Sequence, residues 1–249
     1  MVRLWAEAST EELKDVGNVI LPIGALEQHG PHMPVGTDSY LLHAVLSSLV
    51  KEDTEEDYYV LPPILYGKST EHMSFPGTVT LSMQTLCSII TDIASSLAAH
   101  KVKRLFIING HGGNIGAIDS LLYDIRYEKK IECYAFHLGK IYPLLDEHGG
   151  LPWSMHAGYA ETSIIMAYDD GRFSRNLEKN PGVLKSKGYD FFQSLGPVSY
   201  GWMTEDISEK GFIGNPGMAS KEAGERLIAG IVGYLLSAFK EIVGKRRGE

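Results

Sequence analysis

Three short stretches carry side chains able to bind a cation and activate water: residues 21–38, 104–114 and 156–161. In the first, Glu27 and His29 lie two residues apart, so an extended backbone points both to one side and Gln28 to the other. Asp38 follows nine residues after His29, and Gly30, Pro31, Pro34 and Gly36 let the chain return between them. A carboxylate set between two cations can bridge them, which makes Asp38 the candidate shared ligand. The same residues also fit a plain turn, with Asp38 capping the following helix.

His111 follows the apolar run 105–108, so its imidazole leaves a buried strand at the edge where ligand groups collect. Gly110, Gly112 and Gly113 permit tight backbone geometry there. Asn109 and Asn114 can orient a water or bind a substrate carbonyl. The loop lacks the Gly-Lys-Ser/Thr ending of a phosphate loop, and its spacing is not GxGxxG, which disfavours a nucleotide cradle. Glu161 can close a coordination set, with His156 as a candidate proton donor, or it can simply face solvent. Three carboxylates and two histidines on separate loops point to one or two divalent ions that acidify water and polarise an amide carbonyl. His156 would then protonate the departing nitrogen. A metal-dependent phosphohydrolase uses similar residues and is the second enzyme class; a non-enzymatic oligomeric protein is the other alternative.

The elements that must position these groups alternate strand, loop and helix. Asn18–Ile23, Tyr58–Leu61, Arg104–Asn109 and 131–136 read as strands; 39–50, 82–99 and 115–128 read as helices. In 82–99, Leu86, Ile89 or Ile90, Ile93 and Leu97 form an apolar stripe. Ser9 and Glu12 predict a capping box opening a short helix to about Val16. Pro22 limits pairing near the end of its strand. Residues 158–168 fit a strand or a helix, 171–217 is hard to order, and Ser220 caps a long helix to about Val243. The pattern predicts a mostly parallel sheet covered by helices, with active-site loops at the strands' carboxyl ends. The loop at 64–78 is long enough to suggest a functional lid or an oligomer contact. Its Lys68, Glu71 and His72 can recognise a polar or phosphorylated substrate or form an intersubunit ion-pair network.

The 249 residues fit one domain spanning 1–249, and neither an internal repeat nor a second-domain boundary is evident. A formal charge of −8 argues against a nucleic-acid polymer as partner. The Lys-Arg-Arg run at 245–247 reads as a solvated tail. Cys87 and Cys133 provide neither a disulfide framework nor a zinc site and read as small buried hydrophobes. The N-terminal residues lack a signal-peptide core and no later segment reads as long enough to span a membrane, so the expected compartment is cytoplasmic.

The ordered combination LPIGALEQHGPHMPVGTD, SFPGTVTLS, NGHGGN and HAGYAETS resembles the creatininase, or creatinine amidohydrolase, family over nearly the whole chain. The resemblance implies a three-layer α/β/α fold, a homo-oligomer, often a hexamer, and divalent zinc, manganese or iron. It also implies hydrolysis of C–N bonds in a small-molecule amide. It makes Glu27, His29, Asp38, His111 and Glu161 the metal ligands, with Asp38 shared, and sets His156 beside the substrate. The creatinine-hydrolysing pattern carries a glutamate where this chain has Gly113, which points away from creatinine. A non-creatinine branch is expected, in first place the deformylase of a formamidopyrimidine ribonucleotide. Other branches are creatinine amidohydrolase itself and a peptidase that cleaves a terminal dipeptide from a cofactor precursor.

Overall fold

The computed structural model describes residues 1–145, 154–169, 181–182 and 200–244. Five parallel strands form one sheet in the order β1-β3-β2-β4-β5. They are β1 Val2–Leu4, β2 Asn18–Ile23, β3 Tyr58–Val60, β4 Arg104–Asn109 and β5 Glu132–His137. The helices are α1 Thr37–Leu49, α2 Met83–Ala99, α3 Ile115–Asp124, α4 Leu138–Ile141, α5 Tyr159–Tyr168, α6 Thr204–Ile207 and α7 Lys221–Gly244.

β2 and β4 read NVILPI and RLFIIN, nearly continuous apolar runs, because both faces of the sheet are covered. Alternate side chains part to opposite sides. Ile20, Tyr58, Phe106, Ile108 and Phe136 join a core with α1, α5 and α7. Val19, Leu21, Ile23, Leu105 and Ile107 join a second core with α2 and α3. The result is the expected three-layer α/β/α arrangement. Pro22 costs little here. The carbonyls of Ile20 and Pro22 accept from Leu61 and Ile64, so the missing donor falls on the β3 side, beyond the last β2–β3 pair.

α1 leads from β2 to β3, α2 from β3 to β4, and α3 from β4 to β5. β3 and β4 therefore flank β2, and the loops after β2 and β4 diverge from neighbouring strands. This carboxyl-edge crevice is where open parallel sheets bind ligands.

Several elements differ from their predicted form. Ser9 and Glu12 make the reciprocal bonds of a capping box, Ser9 N–H to Glu12 at 2.8 Å and Glu12 N–H to Ser9 Oγ at 3.4 Å, but 10–15 is a run of turns. Gly17 and the strand at Asn18 follow too soon for a second helical turn. α1 starts at Thr37, so Asp38 lies inside its first turn and Gly36 is the cap residue. In α2 the buried stripe is Leu86, Ile90, Ala94 and Leu97. The helix expected at 115–128 ends at Asp124 and continues as a π-turn over Ile125–Lys129, closed by Lys130 at φ 60°. Residues 158–168 resolve as helix α5. Of 171–217, the described part from 200 holds α6 and a 3-10 turn at Pro216–Met218; the 245–247 tail lies outside the described residues.

α7 opens with Ala223 N–H on Ser220 Oγ at 3.1 Å, the expected cap. With 24 residues and a mean hydropathy of 1.6 in its most apolar window, it does reach membrane-spanning length, contrary to expectation. Its stripe of Leu227, Ile231, Leu235 and Phe239 packs into the core beside α1 and α5, which makes it a core helix of this fold. The crossing with α5 is tight at Gly224, where a β-carbon would overlap the Ser163 carbonyl.

Candidate metal centre

The polar groups of the three sequence clusters meet at the carboxyl edge of the sheet. Glu27 N–H donates to Val35 O at 2.8 Å, closing the loop after β2 so that Glu27 and His29 return to Asp38 at the start of α1. His111 follows β4 directly. His156 is pinned on both sides, its N–H donating to Ile213 O at 3.0 Å and Ile213 N–H to its carbonyl at 2.8 Å. Glu161 lies in the first turn of α5, and its Oε2 accepts from Ala157 N–H at 2.6 Å. Ala157 takes φ 54° to make that return.

Each of three imidazoles spends one nitrogen on a main-chain carbonyl and turns the other inward. His29 Nδ1–H donates to Glu27 O at 3.0 Å, leaving Nε2 3.3 Å from Asp38 Oδ1. His111 Nε2–H donates to Lys68 O at 3.0 Å, with Glu27 Oε2 also 3.1 Å from that nitrogen, and Nδ1 lies 3.1 Å from Asp38 Oδ2. His156 Nε2–H donates to Gln28 O at 2.8 Å, leaving Nδ1 3.6 Å from Glu27 Oε1. Both oxygens of Glu27, Nε2 of His29 and Oδ2 of Asp38 are buried without a hydrogen-bond partner among the described residues. Their near neighbours are within reach but misaligned for hydrogen bonds.

Such orphaned lone pairs cost free energy unless a cation takes them. They converge in two overlapping sets, Glu27 with Asp38 and His111, and His29 with Asp38 and Glu161; within each, donor atoms lie within 4.8 Å of one another. Asp38 is common to both. A third set joins Glu27, His29 and His156. Imidazole and carboxylate donors at this spacing suit divalent transition ions. The chain fits a divalent-metal cofactor.

The electrostatics agree. Burial pushes Glu27 up to about 7, against the pull of His111. Burial opposes charge on His29, but Asp38, then Glu161 and Glu27, outweigh it and raise the ring to about 9. His111 is likewise desolvated, yet Glu27 and Asp38 lift it to about 10. Asp38 is also buried, but His29 and His111 hold it well below the usual carboxylate range. Burial raises Glu161. His156 and His72 go the other way, by burial and then by repulsion from neighbouring imidazoles; His72 falls to about 3 and His156 well below its ordinary value.

The remaining candidates divide. Asn109 and Asn114 are buried, and their side-chain amides are hydrogen-bonded within the loops around His111. Asn109 binds His111 O at 2.7 Å and His137 Nδ1 at 3.1 Å, and Asn114 bridges Gly24 O at 3.0 Å to Lys68 N–H at 2.9 Å. Lys68 and Glu71 pair with each other at 2.6 Å on a partly exposed turn. His72 is buried beside the cluster, with Nε2 3.2 Å from Glu27 Oε1. Gln28 is buried, and its amide reaches His72 Nδ1 and Gly211 O, both at 2.7 Å. Thr204 Oγ1 also meets His72 Nδ1 at 3.0 Å. Nothing local to the sequence placed His72 or Thr204 across from Gln28.

A parallel three-layer sheet with a buried carboxylate–imidazole cluster at its carboxyl edge defines a metal-dependent hydrolase. The chain belongs to the creatininase family: the family profile, described as creatinine amidohydrolase, matches residues 3–239. It is 30% identical to the mycofactocin precursor peptide peptidase of Mycolicibacterium smegmatis, over 92% of this chain and 87% of that one. It is also 30% identical to the creatinine amidohydrolase of Pseudomonas putida, over 90% and 88%. The likeness to a formylaminopyrimidine-nucleotide deformylase of Methanobrevibacter ruminantium is 27% and spans 51% of this chain and 53% of that one. Among solved structures, "Creatininase Mn" superposes with a TM-score of 0.73 at 25% identity, covering 96% of this chain and 97% of the other.

Proposed function

We propose that this protein is a divalent-metal-dependent peptidase acting near the end of a cofactor-precursor peptide. The observation that carries this reading is the near end-to-end likeness to the mycofactocin precursor peptide peptidase. The deformylase favoured by sequence reasoning has support over only half the chain, and Gly113 stands where the creatinine-hydrolysing pattern has a carboxylate. The bond class accordingly moves from a non-peptide amide or formamide to a peptide-type C–N bond.

In this reading Glu27, Asp38 and His111 hold one ion, and His29, Asp38 and Glu161 a second, with zinc, manganese or iron as candidates. The ions supply Lewis acidity, polarising the scissile carbonyl and making water a better nucleophile at neutral pH. His156 handles the proton. Its Nε2–H is committed to the Gln28 carbonyl, so its Nδ1 is the atom left to take a proton from attacking water and return it to the departing nitrogen. His72 and Gln28 orient Glu27 and His156 from behind. A shallow surface depression lined by Gln28, Gly30, Pro31, Phe75, Pro76 and Lys210 meets the site at Gln28. Lys68 and Glu71 are candidate polar contacts for the substrate.

The test is an anaerobic, metal-replete assay of three substrates. A precursor peptide should release a terminal dipeptide or amino acid. Release of formate from a formamidopyrimidine nucleotide with no peptide cleavage would replace this reading with the deformylase; ring opening of creatinine alone would replace it with the creatininase.

A further inference from the structure

Sequence comparison within the family makes Gly113 look like a lost ligand. The tertiary structure gives it a different part. An ideal β-carbon on Gly113 would overlap the Lys68 carbonyl oxygen and stand 2.5 Å from His111 Nε2. Those two atoms are themselves hydrogen-bonded at 3.0 Å. A side chain at 113 would thus occupy the hydrogen bond that orients His111. The same point is 2.8 Å from Glu71 Oε1, so the whole 68–71 turn rests where a side chain would be. Its seat is built from several bonds: Lys68 N–H to Asn114 Oδ1 at 2.9 Å, Ser69 N–H to Thr80 Oγ1 at 2.8 Å, and Leu81 N–H to Gly67 O at 2.8 Å. Gly67 is equally hemmed in, with Asn114 Oδ1 and Gly24 O each 2.7 Å from its would-be β-carbon. Ser69 Oγ adds a second partner for His111 Nε2 at 3.1 Å.

We propose that Gly113 is a positioning residue. Its lack of a side chain admits the 68–71 turn, whose Lys68 carbonyl takes His111 Nε2–H and leaves Nδ1 facing Asp38. A ligating histidine held by a carbonyl at its other nitrogen has a fixed ring plane and a fixed donor atom, and loss of such a support commonly costs about 10–100-fold in metal affinity. Glycine at 113 is therefore a condition of this site's geometry, and it brings Glu71 to the place that a longer residue would fill. This inference rests on the metal-centre reading above.

The test is zinc and manganese titration of the full chain by calorimetry, paired with ¹⁵N NMR of the histidines in the zinc-loaded protein. The wild type should bind two ions, with His111 protonated at Nε2 and metallated at Nδ1. Gly113→Ala should weaken one ion by about 10–100-fold, spare the other, and shift the His111 signature. Asn114→Ser, which releases Lys68 N–H, should move the same signal and serves if Gly113→Ala does not fold. Wild-type affinities together with an unchanged His111 signature in a folded Gly113→Ala or Asn114→Ser protein would overturn the inference. Failure of the wild type to bind any ion would instead overturn the metal-centre reading, and this inference with it.

Discussion

Asp38 turns one oxygen toward each of two histidines, Oδ1 to His29 and Oδ2 to His111, and so joins the two donor sets. Replacing it by asparagine keeps the volume but removes the charge and one strong donor. Asp38→Asn should lower metal content at both positions together, where a one-sided change such as Glu161→Gln should lower one; elemental analysis of the purified proteins checks this. Unchanged stoichiometry in Asp38→Asn would remove it as the bridge. His156 belongs to a third donor set as well as to the proposed proton path. For His156→Gln, metal content should stay and turnover should fall roughly 10²-fold. If metal leaves with the side chain, His156 is a ligand first. The identities of these residues were legible in the sequence because carboxylates and histidines at strand ends have few other reasons to be there. Roles for Gln28, His72 and Thr204 were not, since they depend on which loops face one another across the crevice.

At the scale of elements, the site depends on α5 being held against α7. Gly224 lets the two helices touch, with no room for a β-carbon beside the Ser163 carbonyl. Gly224→Ala should cost about 1–3 kcal/mol by forcing the helices apart, measured by urea denaturation. Because Glu161 rides on α5, the same variant should also loosen an ion. Ser82 caps α2 through an exposed Thr85 N–H bond at 3.1 Å. Ser82→Ala should cost about 1 kcal/mol of stability and leave metal affinity alone. Helix periodicity was readable from sequence for α2, and the cap residue for α7. They were not for α5, whose apolar residues fit strand and helix alike until packing on α7 selected the helix. Nor did the capping box at Ser9 make a helix, because its local bonds were too few to outweigh the strand that follows.

Over the whole molecule, one electrostatic contact reaches from the sheet edge to the surface. Asp119 is partly desolvated, but its bond to His137 Nε2 at 2.8 Å and the nearby Lys140 keep its carboxyl below the ordinary 3.8. A folded-state value lower than the unfolded one stabilises above 3.8, and that contribution fades as pH falls through the folded value. Asp119→Asn should therefore narrow its deficit against wild type as melting temperature is followed from pH 6 to below 4. A constant deficit would assign its role to packing. The sequence by itself determined the layer architecture, four of the five strands and which side chains could serve as donors, because apolar periodicity and the chemistry of side chains are local properties; the three-residue strand Val2–Leu4 was too short to show a period. Only the tertiary structure decided which main-chain carbonyl each histidine engages, that the amides of Asn109 and Asn114 are hydrogen-bonded within the loops, and that the turn at residues 68–71 packs against Gly113. Those are contacts between segments brought together by the sheet order, and spacing along one segment carries no record of them.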